Sequence, residues 1–117
     1  MPDIKRYETT RRLSRVVVHN GVVYLAGVTT DVAADDIAAQ TRSVLETIDA
    51  RLATVGSHKG RLLSAQIWLK DIDRDFCGLN AVWEAWLPAD AAPTRATCQA
   101  KLAEPELLVE IIVTSAA

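Results

Sequence analysis

Leu107-Leu108-Val109-Glu110-Ile111-Ile112-Val113-Thr114 is almost entirely apolar. An unbroken apolar run of this length reads as a strand buried on both faces. Glu110 is the one charge inside it. A carboxylate in such a strand is costly unless it is paired, hydrogen-bonded, protonated or open to a pocket. Two readings therefore stand for Glu110: half of a structural ion pair at a sheet or subunit boundary, or a carboxylate bordering a functional cleft.

The stretch just upstream, Pro93-Thr94-Arg95-Ala96-Thr97-Cys98-Gln99-Ala100-Lys101-Leu102, reads as a second strand. Pro93 fixes its own φ and disfavours helix in the residue before it, so Ala92-Pro93 marks a boundary. Beyond it, Arg95, Thr97, Gln99 and Lys101 share one face and Ala96, Cys98, Ala100 and Leu102 the other. Arg95 sits where a loop meets a sheet. It is either a solvated arginine beside a turn or a planar cation offered to a carboxylate or phosphate. The connection Lys101 to Glu106 is short and contains Pro105, so the two strands are expected to be antiparallel neighbours. Arg95 and Glu110 would then border one cleft.

The remaining elements follow from local pattern. Met1 to Tyr7 is compatible with a short edge strand. Val16-Val17-Val18-His19 and Val22 to Ala26 flank Asn20-Gly21, the dipeptide whose two positive φ angles close a tight hairpin. Gly27 ends the second of these strands, either for close approach of a backbone or ligand or as a bulge. Asp31 to Asp36 supplies N-cap residues for a helix over about Ile37 to Val55. Its stripe is Ile37, Thr41, Val44, Leu45, Ile48, Leu52 and Val55, and Gly56 ends it. Leu62 to Leu69 alternates as a strand, with Leu63, Ala65, Ile67 and Leu69 on one side. Asp71-Ile72-Asp73 caps a second helix, about Arg74 to Trp86. Phe76, Leu79, Val82, Trp83 and Trp86 form its buried side, and Asn80 lies on the border of that side. A partly buried amide there needs partners, from nearby backbone or from a ligand.

The order is β-β-α-β-α-β-β. Two helices cover one face of such a sheet and not both, so the expected fold is a two-layer α+β sandwich. The doubly apolar Leu107 to Val113 run calls for a partner on the other face, most simply other copies of the chain.

At 117 residues the chain is expected to form one domain, residues 1–117. No apolar run approaches the roughly 20 residues that span a bilayer. The start shows no basic segment leading into an apolar one, so no signal peptide is expected. A net charge of −2 and a pI near 5.6 give no drive toward nucleic acid or anionic membranes. Two cysteines without ligand spacing, Cys77 and Cys98, fit a reducing cytoplasm and read as packing residues. His19 and His58 are isolated, and no metal or cofactor is expected. The cluster Arg11-Arg12-Leu13-Ser14-Arg15 is either a solvated charge run or extra positive potential near an anion site.

The residues resemble the RidA (YjgF/YER057c/UK114) family. The likeness rests on Pro93-x-Arg95-Ala96-Thr97, Val109-Glu110-Ile111, Asn80-Ala81-Val82-Trp83, Val23-Tyr24-Leu25-Ala26-Gly27 and Ala39-Gln40-Thr41-Arg42. It runs from about Ser14 to the C-terminus. It implies a chorismate-mutase-like fold and a homotrimer whose three sheets line a central barrel, with ligand clefts between subunits. It also implies hydrolytic deamination of reactive 2-enamine and 2-imine carboxylic acids to 2-keto acids and ammonia, without a cofactor. By resemblance Arg95 matches the arginine that holds the substrate carboxylate, and Glu110 the glutamate near the water and the protonated carbon. Gly27, Asn80 and Thr97 match pocket positions.

Three positions depart from the best-known deaminases: Leu13 stands where a tyrosine is usual, Ala26 where a serine is, and Val28 where glutamine is. The anion anchor is kept but the pocket walls differ, so the resemblance fixes neither the substrate nor fast imine hydrolysis. Two other functions belong to the same resemblance. One is a non-catalytic binder of small carboxylates. The other, RNA cleavage or translation inhibition, is opposed by the acidic balance and by the lack of an interleaved basic and aromatic patch.

Overall fold

The computed structural model describes residues 3–117. It is a mixed α+β fold with six strands and two helices: β1 (Lys5–Thr9), β2 (Ser14–His19), β3 (Val22–Leu25), α1 (Ile37–Ala53), β4 (Leu62–Leu69), α2 (Ile72–Trp86), β5 (Thr94–Gln99) and β6 (Val109–Ala116). Both helices lie on one face of a single sheet of order β1-β2-β3-β6-β4-β5. All neighbours are antiparallel except β4 and β5, which run parallel on either side of α2. The edge strand β1 is Lys5–Thr9, and Met1 and Pro2 lie outside the described residues.

Local chemistry accounts for the element ends. The β2–β3 turn has φ of 51° at Asn20 and 78° at Gly21, the left-handed pair that a tight hairpin needs. Asp36 caps α1 by accepting the Ala38 N–H at 2.9 Å. Gly56 follows the helix at φ 77°. Asp71 caps α2 by accepting the Arg74 N–H at 3.1 Å, which starts that helix at Ile72, two residues before the pattern indicated.

The core lies between sheet and helices. Val44, Leu45, Ile48 and Leu52 of α1 and Leu79 and Trp83 of α2 pack on Val16, Val23, Ala65, Ile67, Val109, Ile111 and Val113. The β6 side chains alternate, with Val109, Ile111, Val113 and Ser115 buried and Glu110, Ile112, Thr114 and Ala116 half-buried on the open face. Leu107 and Leu108 are buried ahead of the strand. A register shift between Leu62 and Ser64 turns Leu63 outward, where it is 46% exposed. Strict alternation placed it inside, but a bulge resets the parity.

β5 and β6 are not neighbours, contrary to expectation, because β4 lies between them. The connecting segment crosses the end of β4: Ala100 donates to Leu69 O at 2.9 Å and Lys70 to Leu108 O at 3.0 Å. Buried Gln40 holds the far side of this crossing. Its Nε2 donates to Ala34 O and Glu106 O, and its Oε1 accepts the Leu108 N–H, each at 2.9 Å.

Candidate functional site

Register decides which face each candidate takes. Arg95 lies beside Ala65 and Thr97 beside Ile67, so both share the helix-side face of the sheet. Across from them, α2 presents Phe76, Asn80 and Trp83, spaced by one turn each. The Arg95 guanidinium carbon sits 5.8 Å from the Phe76 ring centroid and 5.9 Å from that of Trp83. These aromatic contacts hold the cation without neutralising it. Among the described residues Arg95 forms no salt bridge and no side-chain hydrogen bond.

Two further polar atoms at this edge lack partners. Asn80 Oδ1 and Thr97 Oγ1 are buried and make no hydrogen bond. An orphaned buried polar atom typically costs about 1–3 kcal/mol. Arg95 and these two atoms thus form a group on this strand and facing helix, among the described residues, whose polar capacity is unused within the chain.

Glu110 lies on the opposite face. It is directly across from Trp68, which in turn neighbours Cys98 on β5. The three form a row over the open side of the sheet. Burial pushes the Glu110 carboxyl above its ordinary pKa, and among the described residues it has no salt-bridge partner. Its carboxylate lies over Gly27: a Cβ added there would fall on Oε2, with Cδ 3.0 Å away. Close approach by the chain's own carboxylate explains the glycine. The Val28–Ile111 bridge, with hydrogen bonds of 2.9 and 3.1 Å, holds Gly27 in that position.

Within one chain, then, Arg95 and Glu110 do not border one cleft. β4 separates their strands and parity sends them to opposite faces. The structure groups Arg95, Thr97 and Asn80 on the helix side, and Glu110 with Gly27 on the other.

Cys98 is exposed. Its parity opposite Arg95 is as expected, but the covered face is the Arg95 face, so the thiol is not in the core. Cys77 is also exposed, and Phe76 is 39% exposed rather than buried. α2 buries Leu79 and Trp83 against the sheet, which leaves Cys77 and Phe76 at the rim. Val28 is 1% exposed and packs in the core. Its difference from glutamine therefore bears on packing.

Leu13, Ala26 and Gly27 do line a cavity of about 710 Å³, together with Arg12, Arg15 and Arg51. The basic cluster thus meets a cavity. The contribution of Arg51 was not visible in sequence, because on α1 it is one of several charges off the apolar stripe.

Residues 3–117 match the Endoribonuclease L-PSP family. The RutC family protein YoaB of Escherichia coli is 42% identical over 97% of this chain and 97% of its own length. An uncharacterised protein from Pseudomonas aeruginosa superposes with a TM-score of 0.92 at 42% identity, over 97% of this chain and 98% of that one. A YjgF family member from Neisseria meningitidis gives 0.93 at 41% identity, over 97% and 94%.

Proposed function

The chain belongs to the Endoribonuclease L-PSP (YjgF/RidA) family, and from that premise we propose that it hydrolyses reactive 2-imino and 2-enamino carboxylic acids to 2-keto acids and ammonia. The observation that carries the reading is Arg95: a cation gripped by two aromatic rings, free of any carboxylate, beside two orphaned polar atoms. Its planar fork takes the substrate carboxylate in a bidentate contact. Asn80 Oδ1 and Thr97 Oγ1 take up the adjacent polar groups.

In this reading the second half of the site comes from a neighbouring copy in a homotrimer. That copy brings Glu110 and Gly27 to the Arg95 edge of the first. An enamine takes a proton at C3 from the Glu110 carboxyl and becomes the iminium, both hydrogens staying on nitrogen. Water adds its oxygen to C2 as the C=N π pair moves to nitrogen, and the water proton passes to the Glu110 carboxylate. The Glu110 carboxyl then protonates the carbinolamine nitrogen, its carboxylate takes the hydroxyl proton as the C–N bond breaks, and ammonia and the keto acid leave. Burial raises the Glu110 pKa above that of an ordinary carboxyl, which favours its giving a proton as an acid and taking one back as a base. Positioning supplies most of the rest, since an imine is already electrophilic. No metal or cofactor takes part. The site is that of a cytoplasmic enzyme of small metabolites; the acidic balance of the chain disfavours RNA as substrate.

The test is keto-acid formation from freshly generated 2-iminobutanoate, with melting temperature and mass measured on the same samples. Arg95→Ala is expected to lower kcat/KM by roughly 30- to 1,000-fold. Arg95→Lys is also expected to be poor, because an ammonium cannot copy the fork. Both variants should keep their melting temperature and mass. Wild-type protein that binds keto acids but leaves the imine untouched would instead identify a carboxylate binder.

A further inference from the structure

The cavity beside Gly27 holds more positive charge than a plain imino acid needs. Arg12 comes from the β1–β2 turn, Arg15 from β2 and Arg51 from the last turns of α1, and all three line the same 710 Å³. That volume is in the range of sites for ligands well above four carbons. Arg51 is half-buried and, among the described residues, makes no salt bridge or side-chain hydrogen bond. Burial and the like charge of Arg15 both push its pKa down, against a smaller opposing effect of Glu8. Glu8 engages Arg15 at 3.4 Å, and Asp31 also lines the cavity. The wall therefore keeps a net positive balance after both carboxylates are counted.

Leu13 and Ala26 face this same cavity, so neither wall offers a hydroxyl at those two positions. The cavity reaches Gly27, and the Glu110 carboxylate lies against Gly27. Glu110 itself does not line the cavity; Gly27 is the residue the two share, and a substrate tail that passes Gly27 enters the arginine cavity.

We propose that the substrate carries a second carboxylate, held by Arg12, Arg15 and Arg51, and is a dicarboxylic 2-imino acid. This rests on the imine-hydrolase reading above. Such a substrate is anchored at both ends: C1 at Arg95 of one copy, the distal carboxylate at the arginine wall of the next. Three cations around one opening repel one another until an anion enters, which favours an anionic tail over an aliphatic one.

The test generates imino acids in situ with amino-acid oxidases, from glutamate and from its neutral five-carbon analogue norvaline. Keto-acid formation is followed in each case. The dicarboxylate is expected to have a kcat/KM about tenfold or more above the neutral imino acid. Arg51→Gln, and Arg12→Gln on its exposed turn, should each cut that ratio about fivefold or more. Equal kcat/KM values, or a ratio unchanged in both variants, would overturn the proposal. If neither imino acid is converted, the hydrolase reading fails, and calorimetry decides the subsite separately. Tighter binding of the five-carbon keto dicarboxylate than of its monocarboxylate, lost in the two variants, keeps it. Equal affinity removes it.

Discussion

Arg95 and Glu110 stand on opposite faces of one sheet, with the whole of β4 between their strands. No rotamer of either side chain brings them together across a core of Ala65, Ile67, Ile111 and Val113. If both act on one substrate, they come from different copies. β5 is an edge strand, and the face that carries Glu110 is not covered by helices, so both halves are open to a neighbour.

That geometry predicts complementation. In the proposed cyclic trimer each site would take Arg95 from one subunit and Glu110 from the next. Arg95→Ala and Glu110→Gln homotrimers should both be nearly inactive. Unfolding and refolding them together in equal amounts should restore roughly a quarter of wild-type activity, because every mixed trimer regains one of three sites. Light scattering on the same samples should return three chains per particle. No recovery from mixed trimers would place both residues in a single-chain site, and a monomer mass would remove the shared site altogether.

Gly27→Ala isolates the Glu110 carboxylate. The added methyl meets Oε2, the far end of a flexible side chain, so the carboxylate yields and the backbone stays. Melting temperature should change by no more than a few degrees. Activity should fall about 10- to 100-fold, since a displacement of this size moves the proton donor off the reacting carbon. A variant that unfolds, or one with full activity, contradicts this account.

Glu110 also makes stability depend on pH in the less common direction for an acid. Its folded pKa is raised by burial above the ordinary 4.5. Between those two pKa values the folded chain binds more protons than the unfolded one, so stability falls as pH rises through the window. This contribution is fully favourable below 4.5 and gone above the folded pKa. Glu110→Gln removes the penalty, so its melting temperature should gain on wild type as pH climbs from 4 to 7. A gap between the two that stays flat across this range would mean that Glu110 titrates normally.

Much of this was legible in the residues. Asn20-Gly21 with flanking β-branched runs fixes the hairpin, and Asp36 and Asp71 fix the helix starts through hydrogen bonds that extend only three residues. The α+β class follows from element order. The strand neighbours were not legible, because Lys101 to Glu106 looks short enough for a hairpin. The crossing over β4 depends on Gln40, 68 residues away from the Leu108 N–H it accepts. Parity alone told that Arg95 and Cys98 face apart, yet not which face the helices cover. Arg51 gave no local signal, since only tertiary folding brings it beside Arg12 and Arg15.

Gln40 supplies the last prediction. Its buried amide satisfies two part-buried carbonyls and one buried N–H, tying the first turn of α1 to the entrance of β6 and so to Glu110. Gln40→Ala removes all three bonds and orphans the buried Leu108 N–H, and should cost about 1–3 kcal/mol by denaturant unfolding. Gln40→Glu is more telling. A carboxylate still accepts from Leu108 N–H but offers no donor to Ala34 O or Glu106 O, and it adds a buried charge. Protonation restores one donor, so the introduced acid has a raised folded pKa. Its stability should therefore recover at acid pH and decline as pH rises past the unfolded glutamate value. The Ala variant has no group to titrate and should show no such recovery relative to wild type. If Gln40→Glu matches wild type at neutral pH, the amide is not holding the crossing, and the placement of Glu110 rests on β6 pairing alone.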